Sequence, residues 1–227
     1  MIDRAGVARR LEALRARIEA AGGDPEAVRI VAVTKELPAD AALAALAAGL
    51  RDVGENRAQE LLAKHDALGP RGGDAIWHFV GRLQTNKVRS LAPVVSFWHS
   101  VDRPSLVAEL AHRAPGAAVL VQVNVSGETQ KGGCPPADAA ALVARARDAG
   151  LDVRGLMAVG PTGPPELARP GFRSLRGLAD GLGLPERSMG MTDDLDVAVQ
   201  EGATMIRVGR ALFGSRPGRH AITAGGP

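Results

Sequence analysis

Lys35 closes a short apolar run, Arg29 to Lys35 (RIVAVTK). A lysine amine walled in by such residues loses hydration, which lowers its pKa and frees the neutral amine to attack a carbonyl and form a Schiff base. A lysine exposed at the solvent end of a strand is the simpler alternative at this position. Further along, Gly190-Met191-Thr192-Asp193-Asp194 puts a hydroxyl where a helix N-cap is predicted, and Val208-Gly209-Arg210 is a glycine turn opening another helix. Exposed N–H groups and a helix dipole in such turns suit a phosphate, although a plain cap at Thr192 and a plain turn at Gly209 would look the same. Asp193 and Asp194 would repel a phosphate, so both are expected to point outward or to bind the scaffold.

A Schiff-base lysine beside a phosphate site admits two chemistries. A phosphosugar aldolase would bind its substrate's phosphate, whereas a pyridoxal 5′-phosphate (PLP) protein would hold the cofactor's phosphate and carbonyl at once. Arg207 favours the second, because an arginine against the ring nitrogen keeps it unprotonated and weakens the ring as an electron sink. His78 reads either as an inner hydrogen-bonded residue or as a site residue. His99 and Asp102 read as scaffold, and Lys64 as a surface residue of a helix. Lys87 and Lys131 follow strands and are candidates for a second PLP contact, with solvated loop lysines as the alternative. Cys134 reads as a loop thiol without a role, and no His/Cys/Asp cluster has metal-ligand spacing.

The elements that must position these residues alternate. Strands are predicted at Arg29 to Lys35, Asp52 to Asn56, Ala75 to Gly81, Phe97 to Asp102, Ala118 to Ser126, Val153 to Val159, Arg187 to Met191 and Met205 to Gly209, each followed by a helical stretch. Eight such units close a (β/α)₈ barrel, with an open doubly wound sheet as the alternative. In a barrel the polar strand ends would converge on one face, where the loops after the last two strands hold phosphate. An amphipathic helix over about residues 3–21, with Val7, Leu11, Leu14 and Ile18 on one side, precedes the first strand as a lid or brace. Gly160 to Gly171 reads as a loop, and 217–227 as a frayed tail.

Composition sets the limits. With 45% hydrophobic and 23% charged residues in 227, the chain can bury one large core, and its domain organisation is read as a single barrel domain. The formal charge of +3 is dispersed, so no nucleic-acid partner is expected. No run is apolar enough to span a membrane and the start is not a signal peptide, so the expected location is cytoplasmic. The one cysteine excludes an internal disulfide. There is no tyrosine.

Several long motifs in one order, VAVTK, GEN, WHFVGRLQTNK, NVSGETQKGG, RGLMAV, GMTDD and IRVGRALFG, cover Val31 to Gly214. In them the chain resembles the pyridoxal phosphate homeostasis proteins, PLP-binding domains similar to the barrel of alanine racemase. The resemblance implies that Lys35 forms the internal aldimine, that Asn56 lies near the ring hydroxyl and Arg207 against the ring nitrogen, and that Thr192, Gly209 and Arg210 surround the phosphate. It draws His78 and Met191 toward the same site. Two positions depart from the family pattern: GMTDD commonly has serine where Thr192 stands, and threonine is frequent where Arg210 stands. Alanine racemase works with a lysine and a tyrosine on opposite faces of PLP and continues into a β-rich domain. A chain without tyrosine cannot follow that two-base route. The implied role is a PLP carrier or buffer, expected to be a monomer, with apo PLP-dependent enzymes as recipients. A catalytic PLP enzyme acting on amino acids is the alternative.

Overall fold

The computed structural model describes residues 2–128 and 130–214. The predicted tail at 217–227 lies outside them. Eight parallel strands pair in sequence order and close into a barrel, which settles the choice between barrel and open sheet. They are β1 (Arg29–Val33), β2 (Asp52–Glu55), β3 (Ile76–Phe79), β4 (Phe97–Val101), β5 (Ala118–Gln122), β6 (Asp152–Met157), β7 (Glu186–Ser188) and β8 (Met205–Val208). The closing pair β1–β8 sets Val31 opposite Arg207 and Ala32 opposite Val208.

Nine helices lie among the described residues: α1 (Arg4–Ala20), α2 (Asp40–Ala47), α3 (Ala58–Leu68), α4 (Thr85–Leu91), α5 (Pro104–Arg113), α6 (Ala139–Asp148), α7 (Arg169–Gly181), α8 (Leu195–Gln200) and α9 (Arg210–Phe213). The period-2 alternation of each strand divides its side chains between two cores. The outward set packs under the helices in one continuous apolar layer that includes Ile30, Ala32, Val53 and Trp98. The inward set makes a small apolar plug of Val31, Phe97, Leu120, Met157 and Met205. The rest of the interior is polar: His78, His99, Ser188 and Arg207 are all buried.

α1 braces the barrel. Val7, Leu11, Leu14 and Ile18 are buried, while Arg10 donates to the Leu212 carbonyl at 2.8 Å and Arg17 grips Asp196 at 2.7 and 2.9 Å. It thereby ties α8 and α9 together. The stretch Gly160 to Gly171 is only partly a loop, because a 3-10 turn spans Pro165–Ala168 and α7 starts at Arg169. The prolines there occupy first-turn positions, where a missing N–H costs nothing.

Candidate functional site

A cavity of about 340 Å³ opens at the carboxyl ends of the strands, lined by Val33, Lys35, Asn56, Val80, Val159, Met191, Thr192, Asp193, Arg207, Gly209 and Arg210. Seven of the eight residues singled out from the sequence share this wall. His78 is the exception: it is wholly buried inside the barrel and does not reach the cavity.

Lys35 lies two residues beyond β1, and the backbone around it is pinned from behind. The Thr34 carbonyl accepts from Lys64 Nζ at 2.6 Å and from the Leu37 N–H at 3.0 Å. Glu36 takes a left-handed φ of 60°, uncommon outside glycine, and its N–H is held at 2.7 Å by Glu60. The chain therefore turns away sharply after Lys35. Lys64, read as a surface residue, is in fact 6% exposed and ion-paired to the fully buried Glu55. Glu55 also accepts from the Thr34 hydroxyl at 2.6 Å, so Lys64, Glu55 and Thr34 form one knot behind Lys35 and Asn56. A signal was present: Lys64 falls between Leu61 and Leu68 at the helical spacing of the buried face of α3.

Asn56 is positioned from β3. A Cβ on Gly81 would come within 2.1 Å of the Asn56 carbonyl oxygen, so only glycine lets the two strand ends approach this closely. No role for Gly81 is legible from the sequence alone.

Arg207 forms the floor. Its guanidinium donates to the Ser188 carbonyl and hydroxyl, each at 2.7 Å, and to the Ala158 carbonyl at 2.8 Å, stitching together the ends of β6, β7 and β8. Burial pulls it down to about 10 against the pull of Asp194, which leaves it charged at neutral pH. Three of its five N–H donors are committed to the wall, and two have no protein acceptor among the described residues.

Thr192 does not cap α8; the cap position is Asp194. Its hydroxyl instead accepts the Ala211 N–H at 3.2 Å, which leaves the O–H proton free to donate, and its carbonyl is held by Arg17 at 2.9 Å. Both aspartates pair within the chain, although Asp193 also lines the cavity. Asp194 is buried and accepts the Met191 N–H at 2.6 Å, and Asp193 pairs with Arg210. A Cβ on Gly209 would lie 3.1 Å from the Val33 carbonyl oxygen, a tight approach that keeps β8 close to β1. Arg210 opens α9, so its N–H is one of those a helix leaves without an internal acceptor.

Of the remaining lysines, Lys131 is spent on the Gly160 carbonyl and on Glu128 at 3.1 Å. Lys87 lines a neighbouring cleft with Asn56, Arg57 and Arg82. Cys134 is not an exposed loop thiol: it bridges in parallel to Val123, is 6% exposed, and burial pushes its pKa up to about 11. No group of three or more potential metal ligands occurs among the described residues.

The donor set suits PLP. One amine, one buried guanidinium with spare donors, one amide and one free hydroxyl beside a helix start surround a space within the range of small-ligand pockets.

Comparison with known proteins agrees. The family model described as alanine racemase, N-terminal domain, matches residues 2–217. The pyridoxal phosphate homeostasis protein of Pseudomonas aeruginosa is 44% identical over 211 residues, covering 89% of this chain and 91% of its own. That of Aquifex aeolicus is 40% identical over 222 residues, covering 92% and 96%. Among solved structures, PipY of Synechococcus elongatus PCC7942 with PLP bound superposes with a TM-score of 0.80 at 35% identity, over 92% of this chain and all of PipY. D-threo-3-hydroxyaspartate dehydratase from Delftia sp. HT23, at 18% identity and a TM-score of 0.66, shares the fold. The chain belongs to the pyridoxal phosphate homeostasis protein family, built on the barrel of the alanine racemase N-terminal domain.

Proposed function

We propose that this protein binds PLP and serves in intracellular PLP homeostasis, holding the cofactor without turning over a substrate. The observation that carries the reading is the convergence of Lys35, Arg207 and the Thr192–Gly209–Arg210 corner on one cavity of about 340 Å³. The relatives named above support it. PLP supplies an aldehyde that condenses with an amine and a ring that withdraws electrons.

The chain's own residues do the rest. Lys35 offers the amine from a backbone fixed by Lys64 and Glu60. Thr192 Oγ, which accepts from Ala211, would donate its proton to the phosphate, and the N–H of Arg210 would face the same charge. Asn56 would hold the ring hydroxyl, Met191 and Val80 would wall the ring, and Arg207 would meet the ring nitrogen with a donor that cannot become an acceptor. A guanidinium that stays charged at neutral pH there would keep that nitrogen unprotonated. The absence of any tyrosine removes the second base a racemase of this fold employs.

No helix among the described residues is long and apolar enough to cross a membrane. A cytoplasmic location, a monomeric state and apo-enzymes as recipients of PLP belong to the same proposal.

The test is the visible spectrum of the protein with PLP before and after borohydride, for the wild type and for Lys35→Ala. A yellow band that borohydride fixes as added mass on Lys35, and that Lys35→Ala lacks, is the expected result. An unchanged band in Lys35→Ala rejects the assignment of Lys35. Measurable α-proton exchange from amino acids by the loaded protein would reject the non-catalytic reading.

A further inference from the structure

The barrel interior contains a polar thread that the cavity does not use directly. Asp52, the first residue of β2, meets His78 Nε2 at 2.8 Å. His78 Nδ1 meets His99 Nε2 at 2.8 Å, and His99 Nδ1 meets Ser188 Oγ at 3.0 Å. Ser188 Oγ then accepts from Arg207 at 2.7 Å. Four hydrogen bonds thus join the amino-terminal end of the barrel to the floor of the cavity.

The two ends dictate the direction of every bond. A carboxylate only accepts and a guanidinium only donates. Burial disfavours charge on both imidazoles: it lowers the pKa of His78 against the opposing pull of Asp52, and it lowers that of His99 further with help from the charges of His78, Arg207 and Arg29. With both rings neutral, only one order forms all four bonds. His78 donates from Nε2 to Asp52 and accepts at Nδ1 from His99 Nε2, and His99 Nδ1 accepts the Ser188 proton, which leaves Ser188 Oγ to accept from Arg207.

We propose that Asp52, His78, His99 and Ser188 are positioning residues that act as a one-way hydrogen-bond chain, fixing the guanidinium of Arg207 in the cavity from the opposite end of the barrel. The groups that bear on the far end are Arg29, 3.9 Å from Asp52, and Glu186, 3.7 Å from Arg29. They anchor the acceptor. At the near end, the two Arg207 donors without protein acceptors stay aimed by the three that are tied. The consequence for PLP affinity rests on the function proposed above; the chain itself does not.

The experiment is nitrogen NMR on the full chain, with labelled histidine and arginine, first without PLP and then with it. The wild type should show His78 and His99 as neutral Nε2–H tautomers at pH 7, and an Arg207 guanidinium rotating slowly enough to give separate Nη signals. Asp52→Ala should scramble the His78 tautomer and merge the Arg207 signals, and Ser188→Ala should do so at the near end. Asp52→Asn, whose carbonyl can accept the same bond, should restore the wild-type pattern. With PLP, the two alanine variants should bind about tenfold more weakly, the scale of one lost charge-assisted bond, with a displaced absorption band.

An Nδ1–H tautomer or an imidazolium at either histidine of the wild type would overturn the chain. Arg207 signals and PLP affinity that stay as in the wild type in both alanine variants would overturn the positioning role. If the wild type takes up no PLP, the proposed function falls and the Arg207 signals alone carry or sink the relay.

Discussion

Two buried polar networks meet at the cavity, and they are built on opposite principles. On the outer face of the strands, Lys64, Glu55 and Thr34 bring full charges into direct contact, with Glu55 wholly buried. Inside the barrel, Asp52 and Arg207 carry the charges at the two ends, and neutral groups fill the space between. A buried contact pair has little net worth compared with apolar residues, yet it is costly to break on one side, since the partner is left charged and dry. A neutral chain between two charges costs less to bury but holds only while its rings stay neutral. The outer network is therefore vulnerable to mutation, and the inner one to protons.

Breaking the outer network gives the largest effect. Lys64→Met should cost about 3 to 5 kcal/mol in urea unfolding, by stranding Glu55. Replacing both as Glu55→Leu with Lys64→Met should recover most of it. Lys35→Met, on the neighbouring cavity wall, should leave the midpoint nearly unchanged. A small loss in Lys64→Met would place the two lysines in the same class and end the contrast.

The inner network is tested by pH. Both histidines have folded pKa values below the ordinary 6.5, so the unfolded chain binds more protons than the folded one below that pH. Their contribution is full above pH 6.5 and is lost as the pH falls through 6.5 toward the folded values. Unfolding free energy should fall with a slope of up to about 1.4 kcal/mol per pH unit for each histidine. His78→Gln should flatten the curve between pH 7 and 5, and a slope equal to that of the wild type would remove His78 from the account.

At the phosphate corner, Thr192→Val should weaken PLP binding more than pyridoxal binding by about 1 to 3 kcal/mol. Equal losses for the two ligands would move the phosphate elsewhere. The smallest effect is expected at the rim, where Asp193→Asn removes an exposed carboxylate from beside Arg210. PLP should bind about two- to fivefold tighter at low salt, with the gain vanishing at high salt.

The outline of both the barrel and the cavity was legible because two independent rhythms coincide. Eight apolar runs alternate with helices, and several carry polar residues at or just beyond their ends, of which Lys35, Asn56, Thr192 and Arg207 line one wall. The networks behind that wall were harder to read. Strand alternation tells that His78 and His99 point inward, but only the register of β3 against β4 brings their rings to 2.8 Å. Of the two readings open for His78, the structure shows the inner hydrogen-bonded one, linked to Arg207 through His99 and Ser188. Lys64 was misplaced because charge outweighed spacing: Leu61 and Leu68 flank it on the buried face, and Glu55 awaits it across the helix–strand contact. Gly81 carries no side chain to interpret, and its approach to Asn56 belongs to packing alone.

The bond from Arg10 to Leu212 joins positions 202 apart, and β1 finds its second neighbour only in β8. A ribosome needs roughly 10 to 40 s to make that much chain at common elongation rates. Throughout that interval α1 has no α9 to clasp, and one edge of β1 stands unpaired, a template for the wrong strand. The wall carrying Lys35 waits as long for the corner carrying Thr192 and Gly209. The cavity is thus assembled last, from the two parts of the molecule most separated in time of synthesis, and a nascent chain halted before β8 has no place to hold PLP.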